Sequence, residues 1–184
     1  MPTSHVFRIV VQARWPYSMK ILLVGGSGHV GTFVTPYLLE HHTIRVLDVS
    51  QPRSKDVEYI EGSITDPEAL ARALDGMDTF ITMVMKSGQG GFSSAHSVEQ
   101  AIDNYSVNCL GLHLLLHTAV ASGIKQGVCT STMSVHNRAR TWYPSEADTP
   151  LDPPNVYGLT KQFGEEICAY FAREFDMNLA VLRI

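Results

Sequence analysis

The sequence Gly25-Gly26-Ser27-Gly28-His29-Val30-Gly31 follows an apolar run, Lys20–Gly25, and opens an amphipathic stretch. Few chains can satisfy such a pattern except by ending a parallel strand in a tight turn and entering a helix. Gly25 permits the turn, Gly28 lets the backbone approach a ligand, and Gly31 lets the helix pack closely on its strand. The first helical amides, from His29 and Val30, face outward with the positive end of the helix dipole, which suits a pyrophosphate. Asp48, about 20 residues on at the end of the second strand, is placed to hydrogen-bond the adenosine ribose hydroxyls. Its carboxylate repels a 2′-phosphate, so the expected dinucleotide is NAD, with Arg53 near enough to soften that preference.

The rest of the chain alternates short apolar runs with helical patterns, as a βαβ architecture requires. Strands are expected at Lys20–Gly25, Thr43–Asp48, Val57–Ile60, Asp78–Val84, Gln126–Ser131 and Leu179–Ile184. The first helix, about His29–His41, carries Val30, Phe33, Val34, Tyr37 and Leu38 on one stripe, with a kink expected at Pro36. Asp66-Pro67 reads as N-cap and first residue of a helix running to Leu74. A long helix over Ser97–Ser122 is expected to bury Val98, Ala101, Ile102, Tyr105, Cys109, Leu112, Leu115, Leu116 and Ala119. Another covers Asn155–Phe175, and segments 86–95 and 137–154 read as loops. The fold class is α/β: a doubly wound parallel sheet of six strands in order 3-2-1-4-5-6, the Rossmann fold. No internal repeat is visible.

Composition narrows the function. The 184 residues are enough for one domain with a real core, and a net charge of −4 without like-charge blocks disfavours a nucleic-acid surface. No apolar run approaches the roughly 18 residues of a membrane span. Cys109, Cys129 and Cys168, odd in number and without CxxC spacing, read as reduced packing residues of a cytoplasmic protein. His29, His41, His42, His96, His113 and His117 show no metal-ligand pattern with acids or cysteines, so no metal is expected. Residues 1–18 read as an extension of doubtful status before a start at Met19. The cofactor domain is residues 19–184. It stops inside its sixth strand, as though cut short of a further domain.

A second motif, Tyr157-Gly158-Leu159-Thr160-Lys161, puts a phenol and an ammonium one helical turn apart. A neighbouring ammonium favours the phenolate and brings tyrosine toward working pH, so Tyr157 with Lys161 suits proton transfer at a hydroxyl-bearing carbon. Ligands sit at the carboxyl ends of such strands, where Thr130-Ser131-Thr132 supplies hydroxyls to align a substrate oxygen.

Together these motifs resemble the extended short-chain dehydrogenase/reductases, specifically the NAD-dependent epimerase/dehydratase family acting on nucleotide sugars. The resemblance covers roughly residues 19–184, that family's cofactor-binding part. Gly25, Gly28 and Gly31 match its GxxGxxG, and Tyr157 and Lys161 match its YxxxK. Aligning Val135 with the family's hydroxyl motif makes Thr132, rather than Ser131, the implied catalytic hydroxyl. Lys86 matches a cofactor-contacting lysine, and Asn108 matches the asparagine of an Asn-Val-x-Gly-Thr stretch, with a buried, backbone-bonded polar residue as the plain alternative. Ser63 and Ile64 stand where the family carries its adenine contacts, Ser63 replacing an acid. Thr82-Met83-Val84 is bulkier than the family's residues after strand four, and His136-Asn137 replaces Tyr-Gly. The resemblance implies an NAD cofactor, a sugar-nucleotide substrate and a homodimer formed through the two long helices. A reductase of another small carbonyl compound, or a non-catalytic NAD sensor, remains open.

Overall fold

The computed structural model describes residues 17–86, 97–136 and 149–184. Most of both expected loops and of the amino-terminal extension lies outside them, as do His96 and Asn137. Six strands pair in parallel: β1 (Lys20–Val24), β2 (Thr43–Asp48), β3 (Glu58–Glu61), β4 (Thr79–Thr82), β5 (Gln126–Ser131) and β6 (Asn178–Arg183). Their order is β3-β2-β1-β4-β5-β6, as the sequence implies. β1 and β4 are shorter than expected at their carboxyl ends, because the chain leaves the sheet there at Gly25 and Met83.

Strand alternation divides the core. Leu22, Val24, Leu47 and Phe80 join Leu70, Leu74, Leu115, Leu116 and Phe171 in one cluster. Ile21, Leu23, Ile44 and Val46 form the other, with Val30 and Leu38 against them. Helix α1 (His29–Leu39) covers this second face and remains one element through Pro36. Its buried residues are Gly31 and Thr35, whereas Phe33 and Tyr37 are 63% and 73% exposed, which corrects the expected stripe. The reason is close approach. A Cβ on Gly31 would overlap the Gly26 carbonyl oxygen, so the helix leans on its smallest side and turns the aromatic rings outward.

Helix α2 (Pro67–Leu74) starts where expected. The Asp66 carboxylate accepts from the Glu68 and Ala69 amides at 3.0 and 3.2 Å. Its far end is held by Arg45 of β2, which donates to the Ala73 and Asp75 carbonyls at 2.9 and 2.7 Å and pairs with Glu58 at 2.8 Å.

The long helix is not uniform. Helix α3 (Val98–Tyr105) begins in a capping box between Ser97 and Gln100, passes into a π turn (Ser106–Gly111), and continues as α4 (Leu112–Ala121). Leu115, Leu116 and Ala119 are buried as expected, but Val98, Ile102 and Tyr105 face outward. Helix α5 (Val156–Phe175) starts at Asn155, whose side chain accepts from the Gly158 amide at 2.8 Å.

Candidate functional site: a cleft at the carboxyl ends of the strands

A cleft of about 470 Å³ opens where β1, β2 and β4 end. That is within the range of cofactor sites. Gly25, Gly28, His29, Val30, Asp48, Ser63, Ile64 and Lys86 all line it, with Met83, Val84 and Met85 along its floor. Gly31 lies beneath, in the helix–strand contact.

The cleft's shape follows from missing side chains. Gly25 has φ +82°, and a Cβ there would meet the Val84 side chain at 2.8 Å and its amide nitrogen at 2.9 Å. The turn therefore lies flat against the end of β4. Gly28 caps α1 without any side-chain bond, so the first-turn amides face the cleft without a side-chain acceptor. Asp48 accepts from the Ser27 and Ser50 amides, each at 3.0 Å, which ties β2 to the glycine turn. At the other rim, the Ser63 and Thr65 hydroxyls pair at 2.8 Å. These features fit a dinucleotide: a glycine cradle, outward amides, and a carboxylate at the end of β2.

Tyr157 and Lys161 approach the same floor from α5. The Tyr157 hydroxyl lies 3.9 Å from the Met85 sulfur. Lys161 is buried, and its ammonium donates to the Thr130 carbonyl at 2.7 Å and the Val84 carbonyl at 3.4 Å. Burial lowers its pKa, with Cys129, Cys168, Cys109 and Glu165 acting in the opposite direction. Burial also raises the Tyr157 phenol above its ordinary value, the Thr132 hydrogen bond pulling the other way. Lys161 is not among the groups that shift the phenol in this arrangement. The Lys161 ammonium is bonded to carbonyls at the ends of β4 and β5.

The two candidate hydroxyls separate. Thr132 is buried beside Tyr157, and its oxygen accepts from the Ser134 amide at 3.2 Å. Ser131 instead donates to Glu165 at 2.5 Å, and Arg183 grips that carboxylate through two bonds of 2.9 and 2.7 Å. Sequence reasoning missed Glu165 and Arg183. The spacing of Glu165 one turn after Lys161 is the signal that points to the first.

Asn108 does not line the cleft. Its amide accepts from the Lys86 N–H at 2.9 Å and donates to the Lys86 carbonyl at 3.0 Å and to the Thr160 hydroxyl at 3.0 Å. It is a buried residue bonded to backbone, and it touches the cleft only through Lys86. The Lys86 ammonium pairs with Asp103 at 3.2 Å. Among the described residues no cluster of His, Cys, Asp or Glu suits a metal, and no helix is long and apolar enough to cross a membrane.

A six-stranded parallel sheet with a glycine turn at its switch point defines a dinucleotide-binding protein. The model of the NAD dependent epimerase/dehydratase family matches residues 21–184, and the chain belongs to that family. It is 29% identical over 172 residues to a UDP-glucose 4-epimerase of Halalkalibacterium halodurans, covering 90% of this chain and 50% of that one. Over 121 residues it is 34% identical to a 3 beta-hydroxysteroid dehydrogenase/Delta 5-->4-isomerase of Mycobacterium tuberculosis, covering 63% of this chain and 32% of that one. A short-chain dehydrogenase/reductase superfamily protein from Agrobacterium tumefaciens, solved with NAD bound, superposes with a TM-score of 0.76 at 30% identity, covering 89% of this chain and 48% of that one. The chain spans half or less of the length of these relatives. The family is NAD-dependent.

Proposed function

We propose that this chain is the cofactor-binding part of an NAD-dependent enzyme that oxidises and re-reduces a hydroxyl-bearing carbon of a nucleotide sugar. One observation carries the reading: the glycine turn and the Tyr157–Lys161 helix converge on Val84 and Met85. Residues 19–184 form the cofactor domain, and a further domain supplies the substrate's grip.

In this reading the turn of Gly25, Gly28 and Gly31, with the His29 and Val30 amides, holds the pyrophosphate. Asp48 holds the adenosine ribose and favours NAD over NADP. Ser63 and Ile64 bound the adenine end, and Lys86 reaches the other end from the rim. Asn108 acts only by fixing the Lys86 backbone. NAD, when bound, supplies the hydride acceptor.

Tyr157 is the proton-transfer group: as the phenolate it takes the hydroxyl proton during oxidation, and as the phenol it returns that proton during reduction. Thr132, whose hydroxyl acts on the phenol, aligns the substrate oxygen beside it. Lys161 braces the ends of β4 and β5 and sets the positive charge of the site. Ser131, bonded to Glu165, contributes to holding the end of β5.

The exposed apolar side chains Val98, Ile102 and Leu110 on the long helix, and Phe163 and Tyr170 on α5, support pairing with a second copy through these helices. A hollow of about 400 Å³ between His113, Phe163 and Tyr170 lies on this face. The buried free thiols Cys129 and Cys168 fit a reducing compartment such as the cytoplasm.

A second reading has its own support. Met83 and Met85 line the cleft, the Met85 sulfur lies 3.9 Å from the Tyr157 hydroxyl, and thioethers suit an apolar alcohol better than a hydroxyl-rich ring. The similarity to the steroid dehydrogenase points the same way. Titrating this chain with NADH, then incubating the enzyme in which it is joined to the further domain with NAD and either UDP-glucose or a 3β-hydroxysteroid, separates the readings. The nucleotide-sugar reading expects epimerised UDP-hexose and no steady NADH release. Steroid-dependent NADH release alone supports the second. NADH binding without turnover of either leaves a sensor, and no NADH binding overturns all three.

A further inference from the structure

We propose that Glu165 is a positioning residue of this site: by gripping Ser131 and Arg183 it locks the ends of β5 and β6 to α5, and so fixes Thr132 against Tyr157 and Lys161 against the strand carbonyls. The proposal rests on the proton-transfer reading of Tyr157, Lys161 and Thr132 given above.

The geometry is specific. Ser131 and Arg183 are register partners on neighbouring strands, and one carboxylate takes both their side chains. The Glu165 and Arg183 side chains are only 15% and 21% exposed, so water offers little competition. A fork-on-carboxylate pair fixes direction as well as distance. Ser131 is the residue before Thr132, so holding its side chain holds the peptide that carries the Thr132 hydroxyl. Glu165 itself sits one helical turn after Lys161, on the same side of α5. Both help line a small void of about 20 Å³ with Ser131, Cys129 and Cys168, large enough for one water.

Charge adds a second link. The groups that act on Lys161 are the thiols of Cys109 on the π turn, Cys129 on β5 and Cys168 on α5, together with Glu165. Glu165 is the one carboxylate among them. Burial would raise its acid, but Arg183 and Ser131 outweigh burial, with His136 adding to them, and hold it ionised. The negative charge favours the Lys161 ammonium, which its burial otherwise disfavours. A purely structural strut would hold the strands without this effect.

The test is the titration of Lys161 by NMR with ¹³C-labelled lysine, its signal assigned from Lys161→Arg. In Glu165→Gln, which keeps an acceptor for Ser131 but no charge, Lys161 should lose its proton at lower pH than in the wild type. The double variant Glu165→Gln/Arg183→Met leaves no unpaired buried charge and should still show a downward shift, smaller than that of the single variant because a positive charge leaves with the negative one, even where the single variant fails to fold. NADH affinity, by fluorescence, should stay within about twofold of wild type, since neither residue lines the cleft. An unchanged Lys161 titration in the folded variants overturns the proposal. So does loss of NADH affinity with no titration shift, which marks a strut alone. Failure of the wild type itself to bind NADH overturns the cofactor reading, while the Lys161 titration still decides the role of Glu165.

Discussion

The ammonium of Lys161 lies 3.4 Å from the carbonyl oxygen of Val84, whose side chain in turn fills the space that a Cβ on Gly25 would need. A single residue at the end of β4 therefore touches both motifs that define the site. The glycine turn packs on one side of it and the Tyr157–Lys161 helix reaches it from the other. The chemistry proposed here depends on this shared floor.

Gly31→Ala should damage both stability and cofactor binding. Its Cβ would overlap the Gly26 carbonyl oxygen, a backbone atom that cannot rotate away. The expected cost is about 1–3 kcal/mol, as for overpacking elsewhere. Urea denaturation measures it, and NADH fluorescence should show weaker binding because α1 is pushed off its strand.

Asp48→Asn should weaken NAD binding about tenfold, the scale of one hydrogen bond to a charged group. It should raise affinity for NADP relative to NAD, since the carboxylate no longer repels a 2′-phosphate. Calorimetry with both dinucleotides checks this.

Glu165 should make the fold sensitive to acid. Its folded-state pKa lies below the ordinary 4.5, because Arg183 and Ser131 outweigh the effect of burial. A depressed acid contributes stability that is fully present above about pH 4.5 and is lost as pH falls through the folded value. Glu165→Gln should cost about 2 kcal/mol at neutral pH. The gap between variant and wild type should narrow below about pH 4.5, as measured by urea melts at neutral and at acid pH.

Phe33→Ser and Tyr37→Ser should each change stability by no more than about 0.5 kcal/mol, as exposed substitutions do. Leu116→Ala, in the fully buried cluster, should cost about 2–5 kcal/mol. Equal effects at the two kinds of position would contradict the packing of α1 described above.

That contrast shows where the sequence was legible. Asp66-Pro67 located the start of α2 because capping is chemistry between residues a few positions apart. β2 and β5 were readable from apolar runs bounded by turns. The face of α1 was not, because apolar residues lie on several sides and only the Gly31–Gly26 contact decides which side packs. The π turn at Ser106–Gly111 leaves no clear mark in the apolar pattern, and the buried positions before it are Asn104 and Asn108 rather than Val98 and Ile102. At the site, the cleft-lining glycines and Asp48 followed from a local motif. The spacing of Tyr157 and Lys161 gave a shared helix but not their separate partners. The Ser131–Glu165–Arg183 cluster joins three elements far apart in the chain, so no short pattern announces it.

The most direct measurement is hydride transfer by Tyr157→Phe in the enzyme that joins this chain to the further domain, followed by nicotinamide absorbance and by NMR of the UDP-hexose, alongside NADH binding. Loss of the phenolic oxygen should slow turnover at least about 100-fold while NADH affinity stays within about twofold. A Tyr157→Phe variant that turns over like the wild type would contradict the assignment of proton transfer to that oxygen.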